Sequence, residues 1–311
     1  MSAPFFYTAY GLHIKSSLEL PELTAVDPAD EEIDITIDLG TTPSELKNPT
    51  ATTVITQAAP NEFLLTYKDV AKYYASNGNS IVIDPDPDAD PEKVKLFLMG
   101  SVLSALLHQR NLWPLHASGI VVDGKCIAFS GHSGAGKSTT AGLLAKNGFQ
   151  VWTDDVCAIS INDEGIPVVF PGYPQLRLWK ESLRLLKEDH KELKPVRNEL
   201  LKYNFPTGAE VGKRPLPLDK IFILNRHDKK EIEVKEVKGI AKFRSLMHLT
   251  HRVRITKGQG NDQLLFEMIS KYLQHVEVKT ISHNYNKENL DDFFKTILGL
   301  LKTETPVNEV N

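Results

Sequence analysis

The rhythm of polar and apolar positions changes along the chain. In the first third it alternates. Ile33, Ile35, Ile37 and Leu39 interleave with Asp34, Thr36 and Asp38, and a period of two describes a strand with one wet face. Residues 5–10, 62–67, 71–75 and 80–83 read as further strands, and Asn77-Gly78-Asn79 makes a turn between the last two. The run Asp84-Pro-Asp-Pro-Asp-Ala-Asp-Pro91 is a stiff, solvated connector, so a domain boundary is expected there, with a strand-rich domain over 1–89 and a second domain over 90–311. Asp90 before Pro91 is a helix start, a side-chain acceptor followed by a residue with no amide hydrogen to lose. Val94, Phe97, Leu98, Val102, Ala105 and Leu106 follow at helical spacing, and Leu96, Met99 and Leu103 fill the remaining faces. The helix is therefore expected to be buried, packing the two domains together.

From Leu115 the rhythm changes again. Strand-like runs at 119–122 and 126–130 lead into a glycine-rich turn, a helix over 137–146 stopped by Asn147-Gly148, and a new strand from Phe149. That strand–loop–helix–strand order predicts a parallel α/β arrangement with the strand after the helix beside the strand before the loop. Residues 220–224 and 276–281 read as strands and 262–274 and 287–301 as helices; the polar tail after Thr303 is expected to fray.

Composition narrows the class. Of 311 residues, 41% are apolar and 24% charged, as in an ordinary globular protein, and the net charge of -4 gives no basic field for nucleic acid or an anionic membrane. No segment has the length and apolarity of a membrane span, and the first residues lack a basic stretch followed by a long apolar run, so a cytoplasmic protein is expected. Cys126 and Cys157 sit in apolar, strand-like runs and read as two free thiols. Oligomeric state is left open, a homo-oligomer included.

The chemistry begins at Gly131-His132-Ser133-Gly134-Ala135-Gly136-Lys137-Ser138, which fits G-x-x-x-x-G-K-[ST] at every fixed position, with Thr139 following. The glycines let the backbone curl until several amides point at one centre, and the helix beginning at Lys137 adds its positive end. Lys137 would reach the β- and γ-phosphates of ATP, and the Ser138 hydroxyl would ligate Mg2+. At the variable position His132 only the backbone is expected to matter. Asp154 and Asp155 follow the helix almost at once, and at the same sheet edge they could serve magnesium and act as base toward a hydroxyl. Neighbours on a strand point to opposite faces, so one of them should face the γ-phosphate. Lys213-Arg214 and His251-Arg252-Val253-Arg254 gather positive charge that either stabilises a transferring phosphoryl group or is a solvated surface.

With Leu115-His116 before a strand, the loop at Gly131–Ser138 and Asp154-Asp155 after a short crossover, the chain resembles the catalytic domain of HPr kinase/phosphorylase and, more distantly, phosphoenolpyruvate carboxykinase. In layout it is closer to the HPr-kinase-like proteins found with lasso-peptide biosynthesis, through Tyr10-Gly11-Leu12, Leu20-Pro21-Glu22-Leu23, Leu107-His108-Gln109-Arg110, Tyr173-Pro174 and Leu176-Arg177-Leu178-Trp179. The resemblance implies an α/β P-loop catalytic domain behind a small strand-rich N-terminal domain. It implies an ATP- and Mg2+-dependent kinase acting on a hydroxyl, with a serine of a precursor peptide as acceptor. It makes His116 the active-site histidine and Asp154 and Asp155 the acidic pair, one the general base and one near magnesium. The reading leans to Asp154 as base and groups Asp155 with Ser138 at the metal. Arg177 falls where an arginine could face phosphate. Thr139 stands where the regulatory enzyme usually has Glu, and its signature for the reverse, phosphate-removing reaction is not recognisable here. A kinase for a small metabolite such as free serine, and an ATP-sensing module without transfer, are the alternatives.

Overall fold

Alternation builds the first sheet. The structure, a computed structural model, describes residues 3–27, 32–173, 175–191, 193, 195, 201–207, 214–253, 258–260, 262–284 and 289–302. Pro174, Lys213, Arg254, the expected helix start at Lys287 and the tail from Thr303 lie outside the described residues. The first nine strands are β1 (Phe5–Ala9), β2 (Leu12–Ser16), β3 (Thr24–Ala25), β4 (Ile35–Leu39), β5 (Ala51–Thr52), β6 (Thr56–Ala59), β7 (Glu62–Tyr67), β8 (Ala71–Ser76) and β9 (Ser80–Pro85). They form one sheet in the order β3-β1-β2-β4-β9-β8-β7-β6-β5, antiparallel except at the β2/β4 and β4/β9 pairs. Ile35 and Ile37 are buried as the period of two predicts, and Asn77 and Gly78 turn β8 into β9 with positive φ.

The connector then feeds a helix capped by Asp90, whose side chain accepts from the Glu92 amide. It runs as α1 (Pro91–Phe97), a π-helical segment (Leu98–Val102) and α2 (Leu103–Gln109). Leu98, Val102, Leu103 and Leu106 share one apolar cluster with Ile35, Phe63, Tyr73 and Ile81 of the first sheet and with Val156, Ala158 and Tyr173 farther along the chain. Every residue of α2 is buried, Ser104, His108 and Gln109 included.

The second sheet contains β10 (Trp113–Leu115), β11 (Ala117–Val122), β12 (Lys125–Ser130), β13 (Val151–Thr153), β14 (Cys157–Ile161), β15 (Pro167–Val169), β18 (Leu216–Arg226), β19 (Glu233–Glu236) and β20 (Glu277–His283). β16 (Gln175–Trp179) and β17 (Lys202–Pro206) form a separate antiparallel pair. Further helices are α3 (Lys137–Lys146), α4 (Lys180–Leu185), α5 (Gly239–Leu249), Asp262–His275 and Leu290–Leu301. The sheet is mixed. β12 lies between β11, antiparallel, and β18, parallel. The strand after α3 is therefore not beside the loop strand, as the sequence suggested. A tight turn with positive φ at Asp123 and Gly124 folds β11 back onto β12, and β13 pairs with the outer side of β11. Two antiparallel steps make β13 run parallel to β12, so its C-terminal end still reaches the same edge. Both cysteines are buried free thiols. Among the described residues no helix is long and apolar enough to cross a membrane.

Candidate active site

The glycine-rich loop turns out of β12 into α3. Gly131 has φ of 141°, and a Cβ on it would meet the Leu224 carbonyl oxygen at 2.5 Å, so no larger residue fits while β18 stays in place. Gly134 and Gly136 also have positive φ, and Gly136 caps α3 from the left-handed region. Ala135 is buried in the core beneath the loop, whereas His132, Ser133 and Gly134 are exposed. Lys137 lies folded over the loop, its Nζ donating to the carbonyls of Gly131 at 3.0 Å and His132 at 3.2 Å. Burial pushes its ammonium down to about 8, against the pull of Asp155 and Asp154. The Thr139 hydroxyl turns away from the loop and bonds Ser182 of α4 at 2.7 Å.

The two aspartates sit in the turn between β13 and β14, and their surroundings separate them. Asp154 is 1% exposed. Its Oδ1 accepts from the hydroxyls of Ser118 at 2.5 Å and Ser138 at 2.9 Å, and its Oδ2 accepts from the Arg177 amide at 2.9 Å. Asp155 has φ of 69° and projects into the cleft, its side chain 24% exposed. Its Oδ2 lies 3.5 Å from the Arg177 guanidinium and its Oδ1 3.4 Å from His116 Nδ1. Burial would raise the Asp155 carboxyl, but His251, Arg177, His116 and Lys202 outweigh it and hold it well below the usual carboxylate range. The hydroxyl of Ser138 thus rests on Asp154, while the sequence had grouped it with Asp155.

His116 follows β10, with its amide bonded to the Leu249 carbonyl at 2.8 Å. Its Nδ1 is 2.9 Å from the Asp155 carbonyl oxygen, which can only accept, so Nδ1 carries the proton and Nε2 the lone pair. Burial lowers its pKa, keeping the ring neutral. The structure brings together His116, the loop, both aspartates and Arg177. Arg214 is exposed and lines neither cavity of the site, whereas His251 and Arg252 line one of them.

Two cavities meet here. One, of about 330 Å³, runs over the loop and α3 and is bounded by Trp179, Glu181 and Arg226. The other, of about 470 Å³, opens toward Leu96, His132 and the segment from His248 to Arg252. His116, Asp155, Arg177, Trp179 and Lys202 line both. Ser118, Lys202 and Arg226 were not singled out in the sequence, and Trp179 stood there only within the segment Leu176-Arg177-Leu178-Trp179. None of the four carries a local signal: Ser118 meets the acids only because β11 lies antiparallel to both β12 and β13, and the others arrive from elements whose placement depends on tertiary packing.

No protein-family model matches the chain, and no curated protein matches it. Among solved structures it is similar to the HPr(Ser) kinase/phosphatase from Coxiella burnetii, at 9% identity over 60% of this chain and 93% of that one, with a TM-score of 0.28. An overlap that loose does not establish a shared fold.

Proposed function

We propose that the protein is an ATP- and Mg2+-dependent kinase that transfers the γ-phosphoryl group to a hydroxyl, with a serine of a lasso-type precursor peptide as the acceptor. The observation that carries this reading is the 2.9 Å bond from Ser138 to Asp154, which ties the glycine-rich loop to the acidic turn. It supports a site in which the loop amides and Lys137 cradle the phosphates. Ser138 and Asp154 offer hard oxygen donors of the kind Mg2+ takes, and they would hold it. Bound there, the ion would offset phosphate charge. Asp155 is left as the base: it faces the cleft, is ionised at neutral pH, and is oriented by His116 and Arg177. The hydroxyl oxygen attacks the γ-phosphorus, its proton passes to the Asp155 carboxylate, and the bond to the β–γ bridging oxygen breaks, releasing ADP. A carboxylate with a depressed pKa is a weak base, but bound polyphosphate adds negative charge nearby and raises it. Arg177, Lys202 and Arg226 line the path and oppose charge on the transferring group. The resemblance supports a peptide serine as acceptor, and the larger cavity has room for one residue with its neighbours, or for a free amino acid.

The test is transfer from γ-labelled ATP to a serine-bearing lasso-type precursor peptide, to free serine, and to no acceptor. Label on a peptide serine supports the reading. Label on free serine alone makes the protein a metabolite kinase. ATP bound with no transfer to either leaves a nucleotide-sensing module and sinks the kinase reading.

A further inference from the structure

The segment after α5 carries a histidine into the cleft. Residues 249–251 lie antiparallel along the end of β10: the His251 amide bonds the Pro114 carbonyl at 2.7 Å, Leu115 bridges Thr250, and Trp113 Nε1 donates to Thr250 Oγ1 at 2.9 Å. The neighbouring Arg252 sits at a φ of 56°, a strained conformation for a side chain of that size. This pairing places the His251 ring 5.3 Å from that of His116, centroid to centroid. One donor atom from each of His116, Asp155 and His251 lies within 4.8 Å of the others, and among the described residues this is the only such group of three.

From this geometry we infer that His116, Asp155 and His251 form a binding site for one divalent transition-metal ion, Zn2+ or Mn2+ in kind, separate from the oxygen donors Ser138 and Asp154. Two imidazoles and a carboxylate are the ligand set of open metal sites, and nitrogen donors favour a transition metal over magnesium. The outer shell fits. His251 Nδ1 lies 3.0 Å from the Ser104 hydroxyl and His116 Nδ1 2.9 Å from the Asp155 carbonyl. When each Nδ1–H donates to oxygen in this way, each Nε2 keeps its lone pair, as metal-ligating histidines require. His116, Asp155 and His251 all line the larger cavity, with His132, Ser133 and Arg252, so an ion held by these three ligands would be reachable from it. The site does not depend on the kinase reading, but it shares His116 and Asp155 with it, and an ion held by Asp155 would oppose that carboxylate's action as base.

The test is a Co2+ titration of the full-length, tag-free, chelator-treated protein without nucleotide, read by visible d–d absorption and calorimetry. One equivalent of Co2+ should bind, give d–d bands and be displaced by Zn2+. His116→Gln and His251→Gln should each weaken binding by more than about tenfold, and Ser104→Ala, which touches only the outer shell, by roughly 10–100-fold. Ser138→Ala should bind Co2+ as the parent does. Melting curves on every sample establish that the variants are folded. Absence of Co2+ binding to the parent protein overturns the site whatever the variants do. So does binding that survives in folded His116→Gln and His251→Gln proteins, or is lost with Ser138→Ala. MgATP binding is measured on the same samples: ATP bound without Co2+ rejects this site and leaves the kinase reading standing.

Discussion

Neighbouring residues here have opposite surroundings, and the roles proposed for them rest on that contrast. Asp154 is fully engaged by two hydroxyls and an amide, while Asp155 faces the cleft. Asp155→Asn should therefore cut phosphoryl transfer by about 10²–10⁴ while leaving much of the ATP affinity. Asp154→Asn replaces one acceptor oxygen by an amide that must face the donors Ser118, Ser138 or the Arg177 amide, so it should lower MgATP affinity and melting temperature together. Calorimetry, turnover and melting on both variants separate the two; equal loss of turnover at unchanged affinity in both would reject the assignment. Lys137 gives a pH signature. Its pKa is lowered to about 8 in the free protein, and contact with phosphate favours the cation and raises it. The ammonium is present below that pKa and is lost above it. ATP affinity should be flat near pH 7 and fall as pH rises past about 8, with a slope approaching one decade per pH unit until the pKa of the complex is reached. A Lys137→Ala protein should bind ATP weakly at every pH, and calorimetry from about pH 6.5 to about pH 9.5 would expose a site that does not use this ammonium.

At the scale of elements, what was legible were the pieces with local causes. The glycine-rich loop is written in glycines that the backbone needs, α3 begins and ends where Lys137 and Asn147-Gly148 place it, and the Asn77-Gly78 turn fixes the β8–β9 hairpin. Partners were not legible. Nothing local reveals that β11 folds back between β12 and β13, or that the segment around Thr250 closes against β10, because hydrogen-bond partners across a sheet are chosen by the whole core. That is why His251 was visible only as part of a basic run, and why the sequence, leaning to Asp154 as base with Asp155 beside Ser138 at the metal, gave the two aspartates the opposite roles from those proposed above. Gly131 tests the loop as an element. Gly131→Ala would set a methyl against the Leu224 carbonyl at a φ that side chains rarely adopt. It should destabilise the fold by roughly 1–3 kcal/mol or more and weaken ATP binding, because the loop must lift off β18. A Gly131→Ala protein with parental melting temperature and ATP affinity would show that the loop's close approach is not needed.

For the whole molecule, the helix from Pro91 to Gln109 determines whether the first sheet and the site behave as one unit. The sequence suggested a boundary at residues 89 and 90. The side chains of that helix, however, are buried with the first sheet on one side and with Val156, Ala158 and Tyr173, close to the acidic turn, on the other. The same helix supplies Ser104 to His251 and Gln109 to the Gly78 amide, so polar contacts also run both ways. Surface shared in this way should make unfolding cooperative. Two probes can check it: fluorescence of Trp113 and Trp152, which are buried in the second sheet's core, and far-ultraviolet circular dichroism, which reports all strands and helices. The two should give one denaturant midpoint. Leu106→Ala, which empties a fully buried position in the shared cluster, should lower that midpoint for both probes by the equivalent of about 2–5 kcal/mol. If the fluorescence midpoint held while circular dichroism developed an earlier step, residues 1–89 would unfold by themselves. The helix would then belong energetically to one side only, and a substitution in the first sheet would leave the geometry of His116, Asp155 and His251 unchanged.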